Sequence, residues 1–363
     1  MAEEQSFGQK QANEWMGLAR HGILIVLLVG IAYFPTLRGG FIWDDDDYVT
    51  HNQTLRDAAG LGRIWFNAAA TPQYYPLVHT TFWLEYHLWK LNPIGYHVVN
   101  VLLHALAAFL LYRLLLRLQL PGAWLAAAVF ALHPVEVESV AWITERKNVL
   151  SAVSYLASAL AYLRFAAPSL NEIKDERRFK WYFVALTLFV AALLSKTVTC
   201  SLPAALLLLC WWKTGQLRWR DILSLLPFFL LGAGLGLETA WLEKHHVHAQ
   251  GPEWAFTFAE RCLMAGRALW FYVGKLLWPT QLAFVYPRWQ IATNQWWQWL
   301  FPAAVVGVVA ALWLKRSRIG RGPLVAVLFF AGTLGPALGF VNVFPMRYTF
   351  VADHYQYLAS AGV

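Results

Sequence analysis

The chain has 363 residues, of which 58% are hydrophobic and only 14% charged, with 20 tryptophans and a net charge of +8. Ordinary globular proteins carry about 25% charged residues. This composition therefore excludes disorder, a coiled coil and a disulfide scaffold. A mean hydropathy of +0.43 and a pI near 9.4 describe a polytopic membrane protein. In so apolar a chain the basic residues mark loops on the inner side of a bilayer rather than a nucleic-acid surface.

At the N-terminus Lys10 and Arg20 precede an apolar run with no small-residue cleavage site after it, the pattern of an uncleaved signal anchor. Apolar segments follow at 21–37, 97–118, 122–134, 148–166, 180–196, 200–213, 221–241, 297–314 and 323–341. A helix that crosses the hydrocarbon needs about 20 residues, fewer where it is short or broken. A tenth stretch, 261–278, sets Arg261, Arg267 and Lys275 among Trp270, Phe271, Tyr272 and Trp278. That mixture suits a helix lying in the interface. The three cysteines, Cys200, Cys210 and Cys262, have no metal-ligand spacing and read as small apolar filler.

Basic clusters at Arg113 and Arg117, at 174–180, at Lys213, Arg218 and Arg220, and at Lys315, Arg316, Arg318 and Arg321 fix the orientation. Nine crossings and one interfacial helix put all four inside. The expected organisation is a cytoplasmic 1–20, a membrane core at 21–341 with its first outer loop at 38–96, and an outer-face segment at 342–363. The segments with unusual polar chemistry, 38–96, 133–148, 195–203, 242–296 and 342–363, then share the outer side.

The first outer loop opens with Trp43 and four consecutive aspartates, Asp44 to Asp47. Crowded carboxylates raise one another's pKa, and one of them can serve as a general base toward a hydroxyl. A solvated acidic turn or a calcium site is the alternative. Further on, Tyr75 stands in a Pro-flanked aromatic stretch that reads as an interfacial anchor or a sugar platform. The stretch 133–148 places His133, Glu136, Glu138, Glu145, Arg146 and Lys147 between two apolar spans. A charge at mid-membrane costs about 2.5–3.5 kcal/mol on insertion scales, so this density implies a polar cavity. Arg146 and Lys147 have the chemistry to hold a phosphate. Lys196, Arg288 and Arg347 add cations on the same side, and Asp353 and His354 follow the last of them. His245, His246 and His248 read as an exposed loop rather than a zinc site, so no metal ligand is assigned. No Gly-rich phosphate loop, nucleophile elbow or zinc-protease helix motif is present.

The WDDDDY turn, HPVEVESVAWITERKN, SKTVTCSLP, YPRW and FPMRYTFVADHYQYL, in this order, resemble the transmembrane O-mannosyltransferases that carry tetratricopeptide repeats, within the C-type glycosyltransferase superfamily. The resemblance implies an all-α membrane core of that type. It also implies an inverting transfer of a sugar, mannose by default, from a polyprenyl-phosphate carrier to a hydroxyl on the extracytoplasmic face. The acceptor could be a protein Ser or Thr. Asp44 or Asp45 takes the role of base, and Arg146, Lys147, Lys196 and Arg347 contact the donor phosphate. Tyr75, His133, Glu136, Glu138, Arg288, Asp353 and His354 are candidates for the substrate pocket. No cofactor beyond the lipid-linked donor is implied, and divalent-metal dependence is left open. The expected partners are that donor, membrane lipids and a possible protein acceptor, with no nucleic acid. Such proteins continue into further spans and a repeat domain, so a chain ending at Val363 reads as a truncated, bacterial-type homologue of an inner membrane. A non-catalytic scaffold of the same fold and a lipid or sugar translocator are the alternative classes.

Overall fold

The computed structural model describes residues 2–166, 178–245 and 249–362, and among them every regular element is helical. Helix α1 (Ala2–Ala32) leads into the first loop, which contains a helical turn at Asp46–Thr50 and two helices, α2 (Ala58–Phe66) and α3 (Pro76–Trp89). Helix α4 (Pro93–Arg117) starts where its sequence says it should. The Asn92 side chain accepts the Ile94 N–H at 3.1 Å, and Pro93 occupies the first turn, where no N–H is needed.

Next come α5 (Ala123–Leu132) and α6 (Val137–Ala141), which form a span bent by 51°. The bend has a local cause. His133 precedes Pro134, which pushes it into extended backbone and interrupts the helix. The His133 ring then accepts the Val135 N–H at 3.3 Å and donates to the Leu276 carbonyl at 2.9 Å, capping the break from both sides.

The remaining helices are α7 (Arg146–Ala166), α8 (Arg178–Leu193), α9 (Leu202–Thr214), α10 (Trp219–His245), α11 (Phe258–Leu277), α12 (Leu300–Ile319) and α13 (Gly322–Leu334). Among the described residues five helical stretches are long and apolar enough to cross a bilayer: Pro93–Arg117, Ile143–Ala166, Thr197–Thr214, Trp219–His245 and Trp296–Ile319. The bent pair makes a sixth if it counts as one span, and three shorter apolar helices lie at Met16–Ala32, Phe179–Leu193 and Gly322–Ala337. These positions coincide with the apolar segments of the sequence. Helix α11, with its three cations, is not among them. The chain is an all-α, multi-pass integral membrane protein.

Lipid offers no hydrophobic drive between helices, so close packing of small side chains has to hold them. Ala105, Ala107 and Ala108 of α4, Ala152 and Ala159 of α7, and Ala185 and Ala192 of α8 are all buried in one core. Across it the Ser158 hydroxyl donates to the Ala185 carbonyl at 2.6 Å. Two ends result. At one, Lys213 donates to the Leu118 carbonyl and Arg321 lies against Gly215, so three basic loops meet. At the other, the five polar segments converge. Lys174 and Arg177 of the remaining basic cluster lie outside the described residues.

Candidate active site

The first loop is tied to the start of α7 by Asp45. This side chain is fully buried and accepts the Ile42 N–H at 2.9 Å, the Thr144 N–H at 2.8 Å and the Thr144 hydroxyl. Burial raises its carboxyl above the usual carboxylate range, and the Thr144 and backbone hydrogen bonds oppose that rise. Trp43, two residues before it, has φ +45°, a left-handed conformation that costs a non-glycine residue energy. Its indole packs on Phe284 at 4.9 Å, which helps hold the strained turn.

Asp44, between the strained tryptophan and the anchored Asp45, is half-buried. Among the described residues its carboxylate has no hydrogen-bond or ion-pair partner. Partial burial raises its pKa, Lys147 lowers it, and Glu145 and Asp47 raise it again. Asp46 and Asp47 are exposed, and Asp46 accepts the Thr50 hydroxyl at 2.7 Å. The four carboxylates thus divide into an anchor, an unpartnered acid and two surface groups.

Facing Asp44 is a cluster built on Glu145, which is 0% exposed. Its carboxylate lies 2.9 Å from Lys147 Nζ, 3.7 Å from Lys196 Nζ and 3.9 Å from His354 Nε2, and it accepts the Asn148 amide at 2.6 Å. Lys196 also donates to Asn148 Oδ1 at 2.5 Å. Glu138 holds the far side, 3.0 Å from His354 Nδ1 and accepting the His354 backbone N–H at 2.9 Å. Two lysines and a histidine are gathered by two carboxylates, with donor capacity to spare on each ammonium. Four chain segments contribute: the broken span, the start of α7, the Ser195–Thr197 corner and the C-terminal stretch.

The structure does not bring every proposed residue to this cluster. Arg146 is wholly buried and turned away. Its guanidinium forks onto Glu85 at 2.6 and 3.3 Å, donates to the Tyr96 carbonyl at 3.0 Å and Thr81 at 3.2 Å, and also engages Asn100. Arg347 pairs with Glu253 at 3.0 Å, and Arg288 donates to the Glu253 carbonyl at 2.6 Å, so these two arginines share an exposed loop instead. His133 caps the helix break. Glu136 is buried and accepts the Ser360 hydroxyl at 2.7 Å.

Asp353 accepts the Tyr286 hydroxyl, 3.0 Å from both its oxygens, and burial with the nearby Glu138 pushes its pKa up to about 6 against that bond. Tyr75 is buried in a small core with Tyr48 and Ile143. His246 and His248 lie outside the described residues. Among the described residues no three His, Cys, Asp or Glu side chains are grouped to hold a metal ion.

Sequence reasoning missed one relay. Tyr48 donates to Gln73 Oε1 at 2.8 Å, Gln73 donates to Glu243 Oε1 at 2.8 Å, and Glu243 Oε2 accepts the Phe344 N–H at 3.2 Å. Lys147 Nζ sits 5.4 Å from the Tyr48 ring, joining this relay to the cluster. An acid at the end of the apolar 221–241 segment was the one available signal.

Comparison with known proteins matches the same chain to a group of protein O-mannosyl-transferases. It is 31% identical over 179 residues to protein O-mannosyl-transferase TMTC3 of Mus musculus, 47% of this chain and 19% of that protein. It is 33% identical over 181 residues to protein O-mannosyl-transferase Tmtc1 of Drosophila melanogaster, 47% of this chain and 20% of that one.

Over about half its length this chain is similar to protein O-mannosyl-transferases. Protein O-mannosyl-transferase TMTC4 of Homo sapiens is 30% identical over 199 residues, 48% of this chain and 27% of its own length. The match therefore takes in about a fifth to a quarter of the relatives' length. No family model matches the chain, and no solved structure does either.

Proposed function

We propose that this protein is an inverting glycosyltransferase that moves a sugar, mannose by default, from a polyprenyl-phosphate carrier to an acceptor hydroxyl, which a protein Ser or Thr could supply. The reaction takes place at the polar end of the bundle, the extracytoplasmic face. In a bacterial inner membrane that face is periplasmic. The observation that carries this reading is the pairing of an unpartnered carboxylate, Asp44, with the buried cation cluster of Lys147 and Lys196.

The step balances with these groups. Asp44 takes the acceptor's proton as the hydroxyl oxygen forms a bond to the anomeric carbon. The bond from that carbon to the phosphate oxygen breaks, and its electron pair leaves on the phosphate. Charge grows on the phosphate in the transition state, and Lys147 and Lys196, already fixed by Glu145 and Asn148, meet it without reorganising. The chain's similarity to proteins named O-mannosyl-transferases supports both the sugar and the hydroxyl acceptor.

The test is turnover of a panel of labelled polyprenyl-phosphate sugars by purified wild type, Asp44→Asn and Asp45→Asn. Sugar transfer or release that falls about 10²–10⁴-fold in Asp44→Asn is the expected result. Wild-type turnover by that variant would overturn the base assignment. Silence of folded wild type across the panel would overturn the enzyme reading in favour of a scaffold.

A further inference from the structure

A cavity of about 270 Å³ lies between α4, α7, α9 and α13, and no residue of the acid and cation cluster lines it. Leu118, Leu156, Leu206, Trp212, Ala326 and Phe329 are among its lining residues, and none of the lining side chains is charged. Such a volume is just below the usual ligand-pocket range of about 300–1,000 Å³. Its walls suit a flexible hydrocarbon chain, and beyond the Tyr155 hydroxyl and the Trp212 indole N–H its side chains offer a polar ligand no partner.

The mouth is different. Lys213 donates to the carbonyl of Leu118 and holds its ammonium 4.6 Å from the Trp212 ring, and both of those residues belong to the wall. Gly322, also in the wall, faces the same indole so closely that a Cβ there would touch it at 3.5 Å. Next to it, the Arg321 guanidinium lies 5.5 Å from the Trp211 ring and so close to Gly215 that a Cβ there would displace it. Among the described residues Arg321 has no hydrogen-bonded or ionic partner for its five donors. Lys213 uses one donor of three.

We propose that this cavity binds an anionic phospholipid from the leaflet at the basic end, with one acyl chain in the apolar wall and the phosphate between Lys213 and Arg321. Charge and shape select the occupant together. A free phosphate satisfies the cations but leaves the cavity unused, and an uncharged lipid fills the cavity but leaves the cations unmatched. The two tryptophans fix the cations beside the opening rather than letting them extend into water. This site is separate from the proposed transfer reaction and does not depend on it.

The experiment embeds the full chain in phosphatidylcholine nanodiscs containing a trace of phosphatidylglycerol or phosphatidylcholine that carries a photoreactive acyl chain. Cross-linked peptides are then mapped by mass spectrometry. The phosphatidylglycerol probe should label 202–212 and 322–329 more than the phosphatidylcholine probe does. Lys213→Gln and Arg321→Gln should each cut that labelling by about fivefold, the weight of one interfacial cation. Arg321→Lys should retain most of it, which separates lost charge from lost fold, and Leu206→Trp should remove labelling inside the cavity. Equal labelling by the two probes, or labelling indifferent to both charge removals, overturns the proposal. Inorganic phosphate that competes the probe away would show that the headgroup site binds phosphate without the chain, and would overturn it too.

Discussion

Arg146 and Glu85 meet in a buried, forked ion pair, 2.6 and 3.3 Å between donor and acceptor, that joins the first loop to the head of α7. With Tyr96, Asn100 and Thr81 completing the shell, every side of the guanidinium faces protein. Its neighbour in sequence, Lys147, enters the cation cluster instead. A helix turns about 100° per residue, so adjacent cations at the start of α7 point to different compartments of the structure.

Removing one member of a buried pair leaves the other charge uncompensated, at a cost of about 3–5 kcal/mol. Arg146→Gln and Glu85→Gln should therefore each destabilise strongly, and the double variant should lose less than the sum. Thermal unfolding in detergent checks this. For whatever fraction remains folded, donor KM should be unchanged, whereas a raised KM with intact stability would place Arg146 at the phosphate after all.

Asp44 and Asp45 are expected to fail in different ways. Asp45→Asn leaves one oxygen for three donors around Ile42 and Thr144, so it should lower the unfolding temperature and loosen the loop. Asp44→Asn has no partner to lose and should unfold like wild type while its turnover collapses. A pair of variants equally unstable would show that Asp44 also has a structural task.

The length of apolar runs made the membrane core legible, because bilayer thickness sets that length directly. The shortness of the 122–134 run was visible in the same way, whereas the bend at His133–Pro134 came only with the structure. What sequence could not supply was direction. Charge and sidedness grouped Arg146, Lys147, Lys196, Arg288 and Arg347, but only contacts over long separations divide them. Lys147 and Lys196 meet across Glu145, Arg146 goes to Glu85, and Arg288 and Arg347 go to Glu253. Neutral contributors are harder still to read. Asn148, Thr144 and Gln73 carry no charge signal, and Gln73 finds Glu243 across 170 residues.

Lys147 gives a kinetic test with a pH signature. Losing one charge-assisted contact to phosphate should lower kcat/KM about 10- to 100-fold in Lys147→Gln, with partial rescue by Lys147→Arg. A base must be deprotonated to act, so activity should fall as pH drops through the raised pKa of Asp44. Lys147, ahead of His354, opposes this rise. In Lys147→Gln the acid limb of the rate profile should consequently move to higher pH. An acid limb that does not move would disconnect Lys147 from the base.

Orientation follows from which loops are basic. A single cysteine placed within 280–290 should react with an impermeant thiol reagent from outside, and one within 316–321 only after permeabilisation, in a chain whose native cysteines are replaced. External labelling of the second region would add a crossing at α11 and reverse the sidedness of everything after it.

Asp353 provides a stability test that does not depend on catalysis. Its folded pKa, about 6, is raised by burial, while an unfolded aspartate titrates near 4. The folded state therefore holds a proton that the unfolded chain has released between those values, and stability falls as pH rises through that window. The contribution is complete below about pH 4 and lost above about pH 6. Asparagine keeps an oxygen for the Tyr286 hydroxyl and never ionises. Asp353→Asn should thus gain in unfolding temperature relative to wild type as pH is raised from about 4.5 to 7.5. A difference that stays flat across the window would mean that Asp353 is ionised in the folded protein throughout, with the Tyr286 bond outweighing its burial.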